Sequence, residues 1–238
     1  MESLPEMSML LSLATRSVGN VYIVRCTGRV ILGEEVKALE NALDAAAREF
    51  IRFVVDLGEV SRLDSIAMGL LVRHAERMNK LGGGMRLAAA PAFVTNLLHM
   101  TRLSNLLPSY ATEEEAIVSF LKERPAHGPG ERSGPRVLVV DESPDLCVFV
   151  RTVLARHGFD VRSTCSLRDA KILLNTDGAE YILVGPGTPQ MPAENVMRSL
   201  TGLAPGVKAM ALAADFKIQD AEEATFALLQ MFKVSRSS

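Results

Sequence analysis

Two short stretches carry the residues with chemistry to offer. The first is Asp64-Ser65, set in VSRLDSIAMG between an apolar run and a helical pattern. A serine in the first turn of a helix exposes a hydroxyl that a kinase can reach. A phosphate placed there meets free backbone N–H groups and the positive end of the helix dipole. Up to two added negative charges would also spoil a docked surface, so such a serine can work as an off switch. The plainer use of the same dipeptide is a helix cap, a role Asp and Ser fill routinely. The second stretch is Asp141-Glu142, at the end of RVLVVDE. Adjacent carboxylates suit a hard cation such as Mg²⁺, but two alone hold it weakly. The plain expectation is a pair of exposed, solvated residues at a strand end.

Other residue types assemble into nothing comparable. His74, His99 and His127 are scattered singles, expected at the surface or at caps, and they suggest no metal site. Gly82 to Gly84 lacks the GK[ST] ending of a phosphate loop and follows a helical pattern, so it reads as a turn. Cys26, Cys147 and Cys165 show no CxxC spacing, and each sits in an apolar or strand-like context that suits a small buried hydrophobe. A reducing cytoplasm follows as the expected compartment. No nucleophile, base and orienting group form a trio, so the expectation is a binding protein without catalysis or cofactor. A formal charge of −2 and the lack of any Lys/Arg run argue against nucleic acid. The apolar segment Met7 to Ala14 follows Glu2 and Glu6 instead of basic residues, and no apolar stretch approaches membrane-span length.

These sites need elements to hold them. At 48% hydrophobic and 23% charged residues the chain reads as globular, and its length suggests two domains. Glu123 to Pro135, ERPAHGPGERSGP, is rich in Pro, Gly and charge and reads as a linker (123–135) between domains at 1–122 and 136–238. Upstream, Met9 to Thr15 and Val21 to Thr27 flank the turn-forming Gly19-Asn20 as a hairpin. Val36, Leu39 and Leu43 mark a helix within Gly33 to Phe50, and Ile51 to Leu57 is a buried strand. A helix over Ser65 to Lys80, a strand over Met85 to Ala89, and helices over Ala92 to Arg102 and Glu113 to Leu121 follow. Downstream, strands at Arg136 to Asp141, Phe159 to Arg162, Tyr181 to Val184 and Val207 to Leu212 alternate with helices. That alternation predicts a doubly wound parallel sheet with its functional residues at the carboxyl ends of the strands.

The segment FVVDLGEVSRLDSIAMGLLVRHAERMNKLGGGMRLAA resembles the STAS domain of anti-sigma factor antagonists, whose signature is a strand, a loop reading D-S-S/T-G-L-G, a helix and a Gly-Gly turn. The likeness runs over about residues 9–122, from CTGRV to PAFVTNLLHMTRLSNLL. It implies an α/β fold, a mixed sheet with helices. It also implies a cytoplasmic role in transcription regulation by protein binding, with an anti-sigma factor or serine kinase-like regulator as partner. Ser65 stands at the family's phosphorylation position, and Asp64, Ser65 and Ile66 would form the partner-binding face. Ile66 replaces the family's Ser or Thr and Ala67 its Gly, which sets a bulky apolar side chain beside the acceptor. These departures favour the alternative of a scaffold or self-associating adaptor, a homo-oligomer, without a phosphorylation switch.

The second half, about 136–234, resembles a response-regulator receiver. Asp141 and Glu142 match its acidic pair, and Pro189 lies four residues beyond Gly185, as the family's proline lies beyond its acceptor aspartate. Gly185 therefore holds the acceptor position, and without that carboxylate aspartyl phosphorylation is expected to be absent. Replacing Gly185 by Asp is expected to restore weak labelling. Ala213 stands for the phosphate-sensing Thr or Ser, and Lys233 lies near the family's lysine with Val234 in place of its proline. With so few residues left, the last helix of the receiver is expected to be missing and one face of the sheet uncovered.

Overall fold

The hairpin closes through a two-residue turn in which Gly19 takes the left-handed conformation, φ 59°. That tight turn lets strands β1 (Ser12–Val18) and β2 (Val21–Val30) pair antiparallel up to Val18 opposite Val21. The computed structural model describes residues 10–123, 134–187, 191–216 and 218–234. The chain divides into two compact units, Met1–Pro125 and Ala126–Ser238. The expected linker falls almost wholly on residues 124–133, outside the described residues, as does His127.

In the first unit, helix α1 (Glu34–Ala46) leads to strand β3 (Arg52–Leu63), helix α2 (Ser65–Lys80), strand β4 (Gly84–Ala88) and helix α3 (Ala92–Met100). A two-residue strand β5 (Ser109–Tyr110) and helix α4 (Glu113–Lys122) complete it. The strands lie in the order β5-β4-β3-β2-β1, parallel except for the hairpin. Leu39 and Leu43 of α1, Leu71 and Met78 of α2, and Phe53, Val55 and Leu57 of β3 share one buried cluster. Each such side chain contributes about 1.5–3 kcal/mol on burial. Helix α4 packs on β3 and β4 with Ala116, Ile117 and Phe120 buried.

Strand β3 runs six residues beyond the expected end at Leu57. Its extension stays paired with β2 through two register shifts, ending at Val30 opposite Leu63. Only Val60 is buried there, while Gly58, Glu59, Ser61 and Arg62 face solvent. An apolar run is the sign of a strand buried on both faces, so this exposed, polar stretch read as loop.

The second unit alternates β6 (Arg136–Val140), α5 (Pro144–Arg156), β7 (Asp160–Thr164), α6 (Leu167–Thr176), β8 (Tyr181–Val184), α7 (Ala193–Thr201), β9 (Lys208–Ala211) and α8 (Ala221–Val234). All pairings are parallel, in the order β7-β6-β8-β9. The Ser166 hydroxyl accepts from the Asp169 N–H at 3.1 Å and donates to its carboxylate at 2.8 Å, capping α6.

The chain's end corrects one expectation. A final helix, α8, is present, and Leu228 and Phe232 bury themselves against α5 and the sheet. The Phe232 ring lies 5.0 Å from Phe159 and 5.3 Å from Tyr181, so the sheet face expected to be bare is covered. No fifth parallel strand occurs among the described residues of this unit. Lys233 lies on this helix, with its side chain outside the described residues.

Candidate functional site

At the carboxyl end of β3 the chain turns into α2 through Asp64, an extended N-cap residue with φ −95° and ψ 177°. Its carboxylate accepts from the Ala67 N–H at 2.8 Å and, through the other oxygen, from the Leu32 N–H at 2.7 Å. Its own N–H donates to the Val30 carbonyl at 3.2 Å. The carboxylate thereby ties the connection after β2 to the start of α2. The Ala67 N–H first, then that of Leu32 with the Arg62 charge adding, holds the Asp64 carboxyl below the usual range against the opposing effect of burial. Asp64 is thus engaged in shaping the turn.

Ser65 follows as the first residue of α2 and is exposed, its hydroxyl without a hydrogen-bond partner among the described residues. Ile66 is 45% exposed and Leu32, drawn in by Asp64, is 70% exposed. Ala67 is fully buried. Asp64, Ser65 and Ile66 stand together at this turn, with Leu32 as a neighbour that the sequence did not bring forward. Its link to the site is a backbone amide, which any residue type supplies. One expectation changes: a phosphate on Ser65 would not find every helix donor free, because the Asp64 carboxylate takes the N–H group of Ala67.

In the second unit Asp141 is 1% exposed, which corrects its reading as a solvated remnant; Glu142 is exposed. The Asp141 carboxylate accepts from the Ser143 N–H at 2.7 Å and the Gly187 N–H at 2.8 Å. It so bridges the loops after β6 and β8. The Glu142 N–H donates to the Gly187 carbonyl at 3.2 Å, tightening the same link. A Cβ built on Gly185 would lie 2.6 Å from the Asp141 Cγ, and one on Gly187 would lie 2.9 Å from its Oδ1. The Asp141 side chain thus fills the space beside Gly185. Ala213 is exposed just past β9, where its carbonyl accepts from Phe216. Thr188 and Pro189 lie outside the described residues.

Two further expectations are corrected. His74 is buried inside α2, its ring 4.7 Å from Phe53 in an edge-on contact and its Nδ1 3.0 Å from Arg77. Burial first, then the Arg77 charge, lower its pKa to about 4. Cys165 is exposed, while Cys26 is buried and Cys147 half-buried. Among the described residues no three His, Cys, Asp or Glu side chains gather as a metal would require, and no helix is long and apolar enough to cross a membrane.

Comparison with known proteins matches residues 12–116 to the family model described as "STAS domain". No curated protein matches. Among solved structures, the chain is similar to an anti-sigma factor antagonist from Mycobacterium paratuberculosis, at 24% identity and TM-score 0.43 over 50% of this chain and 98% of that one. It is also similar to the Bacillus cell fate determinant SpoIIAA in its phosphorylated form, at 18% identity and TM-score 0.39 over 44% and 96%. A third, the chemotaxis response regulator CheY4 of Vibrio cholerae, matches at 16% identity and TM-score 0.36 over 42% and 96%.

Proposed function

Starting from the STAS domain that residues 12–116 form, we propose that this chain is an anti-sigma factor antagonist-like signalling protein that binds its partner through the end of the first unit carrying Ser65. The partner is an anti-sigma factor or a related regulator with serine kinase activity, and the setting is cytoplasmic. The observation that carries this reading is the exposed Ser65 hydroxyl, next to exposed Ile66 and on a turn that Asp64 fixes and ties to exposed Leu32. In the switch, the Ser65 oxygen attacks the γ-phosphorus of the partner's ATP, its proton passes to a base of the partner, and ADP leaves. The new charge sits within the docked surface and costs desolvation there. Binding, rather than catalysis, is this chain's own contribution. Pull-down against candidate anti-sigma factors tests the reading. Wild type and Ser65→Ala should bind, and Ser65→Glu should bind at least about tenfold more weakly. Failure of all three to bind any candidate would overturn it.

The second unit, on this proposal, is a docking surface without aspartyl phosphorylation, supported by the occupation of the space at Gly185 by Asp141. A second reading, a self-associating adaptor, is favoured by α3. Its Phe93, Leu97 and Met100 are exposed at helical spacing on one face.

A further inference from the structure

Arg29 of β2 and Arg62 of β3 are register partners, directly opposite each other across a parallel ladder. Like charges so placed repel, and a sheet ordinarily relieves them with a neighbouring acid. Several arginines of this unit have that relief. Arg25 pairs with Asp56 and Glu113, each at 3.0 Å, Arg77 with Asp44 at 2.5 Å, and Arg86 with Glu123. Arg29 and Arg62 form no ion pair or hydrogen bond with any described residue, and the Arg29 Nε is buried without a partner. The nearest acid down the ladder, Glu59, takes the Thr27 hydroxyl at 3.0 Å. The nearest acid up the chain, Asp64, gives both oxygens to backbone N–H groups and feels Arg62 only through its field. Two cations without an ion-pair partner among the described residues therefore lie one ladder step below Val30 and Leu63, where the chain enters the turn to Ser65.

We propose that Arg29 and Arg62 are the counter-charge site for a phosphoryl group on Ser65. The proposal rests on the reading of Ser65 as a modified residue. The helix start is weakened for this role, because its Ala67 amide is already held by the Asp64 carboxylate, which would itself repel a phosphate. Guanidinium groups can: each offers paired N–H donors that match phosphate oxygens and keeps its charge at every relevant pH. Modification would then do more than add charge at position 65. It would draw Arg62, an exposed side chain, and its half-buried neighbour Arg29 into an internal ion pair, turning a basic patch beside Leu32 and Ile66 into a neutral or acidic one.

The test uses the full chain with phosphoserine placed at position 65 during translation, so it needs neither kinase nor partner. Phosphorus NMR follows the second ionisation of the phosphate, which for unperturbed phosphoserine lies near pH 6. If both guanidinium groups engage the phosphate, as the proposal requires, they should lower it by about 0.5 unit or more. Arg62→Gln, a change at an exposed site that leaves the fold intact, should return most of that shift, with Arg29→Gln adding to it. Arg62→Lys should retain part of it, and Arg77→Gln, at the far end of α2, should leave it unchanged. A phosphate titrating at its ordinary value and indifferent to both arginines would overturn the proposal. If no kinase modifies Ser65 in the native host, the reading beneath it fails, while the charge geometry measured by NMR stands or falls independently.

Discussion

His74 stays neutral because its ring lies edge-on to Phe53 among apolar neighbours, with Arg77 adding repulsion to any proton on the imidazole. In the unfolded chain the same group titrates near pH 6.5. Between about pH 6.5 and 4 the unfolded state therefore binds more protons than the folded one, so this contribution to stability is full above that window, falls as pH drops through it, and is level below. His74→Phe keeps a ring against Phe53 and should flatten the dependence of the thermal midpoint between pH 7 and 5; an unchanged slope would place its origin elsewhere. Position 185 gives a second prediction at this scale. Any side chain there overlaps the Asp141 carboxylate, so Gly185→Asp should destabilise the second unit by about 2 kcal/mol or more and should not gain a phosphoryl group from acetyl phosphate with Mg²⁺. Wild-type chain should also show no added mass. This reverses the expectation, drawn from residue types alone, that an aspartate at 185 would restore labelling. The capping use of Asp64 was legible because its partner Ala67 is three residues away, whereas the burial of Asp141 depends on the amide of Gly187, 46 residues distant in sequence.

The elements that carry a regular apolar period were readable. Helix α2 runs from Ser65 to Lys80 as its pattern requires, and β8 occupies Tyr181–Val184. Those that were missed lack the pattern or needed a tertiary partner to reveal it. The outer half of β3 shows one buried side chain in six, Val60, and β5 has only Ser109 and Tyr110. Helix α8 places Ala224, Leu228 and Phe232 four residues apart, but the few residues left after Lys233 argued against a last helix. The helix is nonetheless integral to the second core. Phe232→Ala removes a ring that touches both Phe159 and Tyr181 and should cost about 3–5 kcal/mol. Hydrogen exchange at the Val137 and Leu183 amides would report it, with lost protection expected. Protection equal to wild type would mean that α8 is an accessory to the fold.

Across the whole molecule, two units with separate cores carry features of opposite character. The first presents an unengaged hydroxyl, two arginines without an ion-pair partner among the described residues, and an apolar helix face. Phe93, Leu97 and Met100 on α3 supply a surface that a second copy could cover, and light scattering at tens of micromolar decides between the two readings of the chain. If α3 drives self-association, Phe93→Ser with Met100→Ser should return the particle to monomer mass; a wild-type chain that is monomeric throughout removes the adaptor reading. The second unit has its polar interior already occupied. Asp141 holds the loops after β6 and β8 together from within the space where a side chain at 185 would have to stand. An acceptor at 185 requires Asp141 to vacate that space, and a vacated Asp141 leaves the amides of Ser143 and Gly187 without their carboxylate. Either change alone costs stability, so an acceptor at 185 has to be paid for by remaking the loop contacts that Asp141 now supplies: the pocket behaves as a ratchet that has already turned.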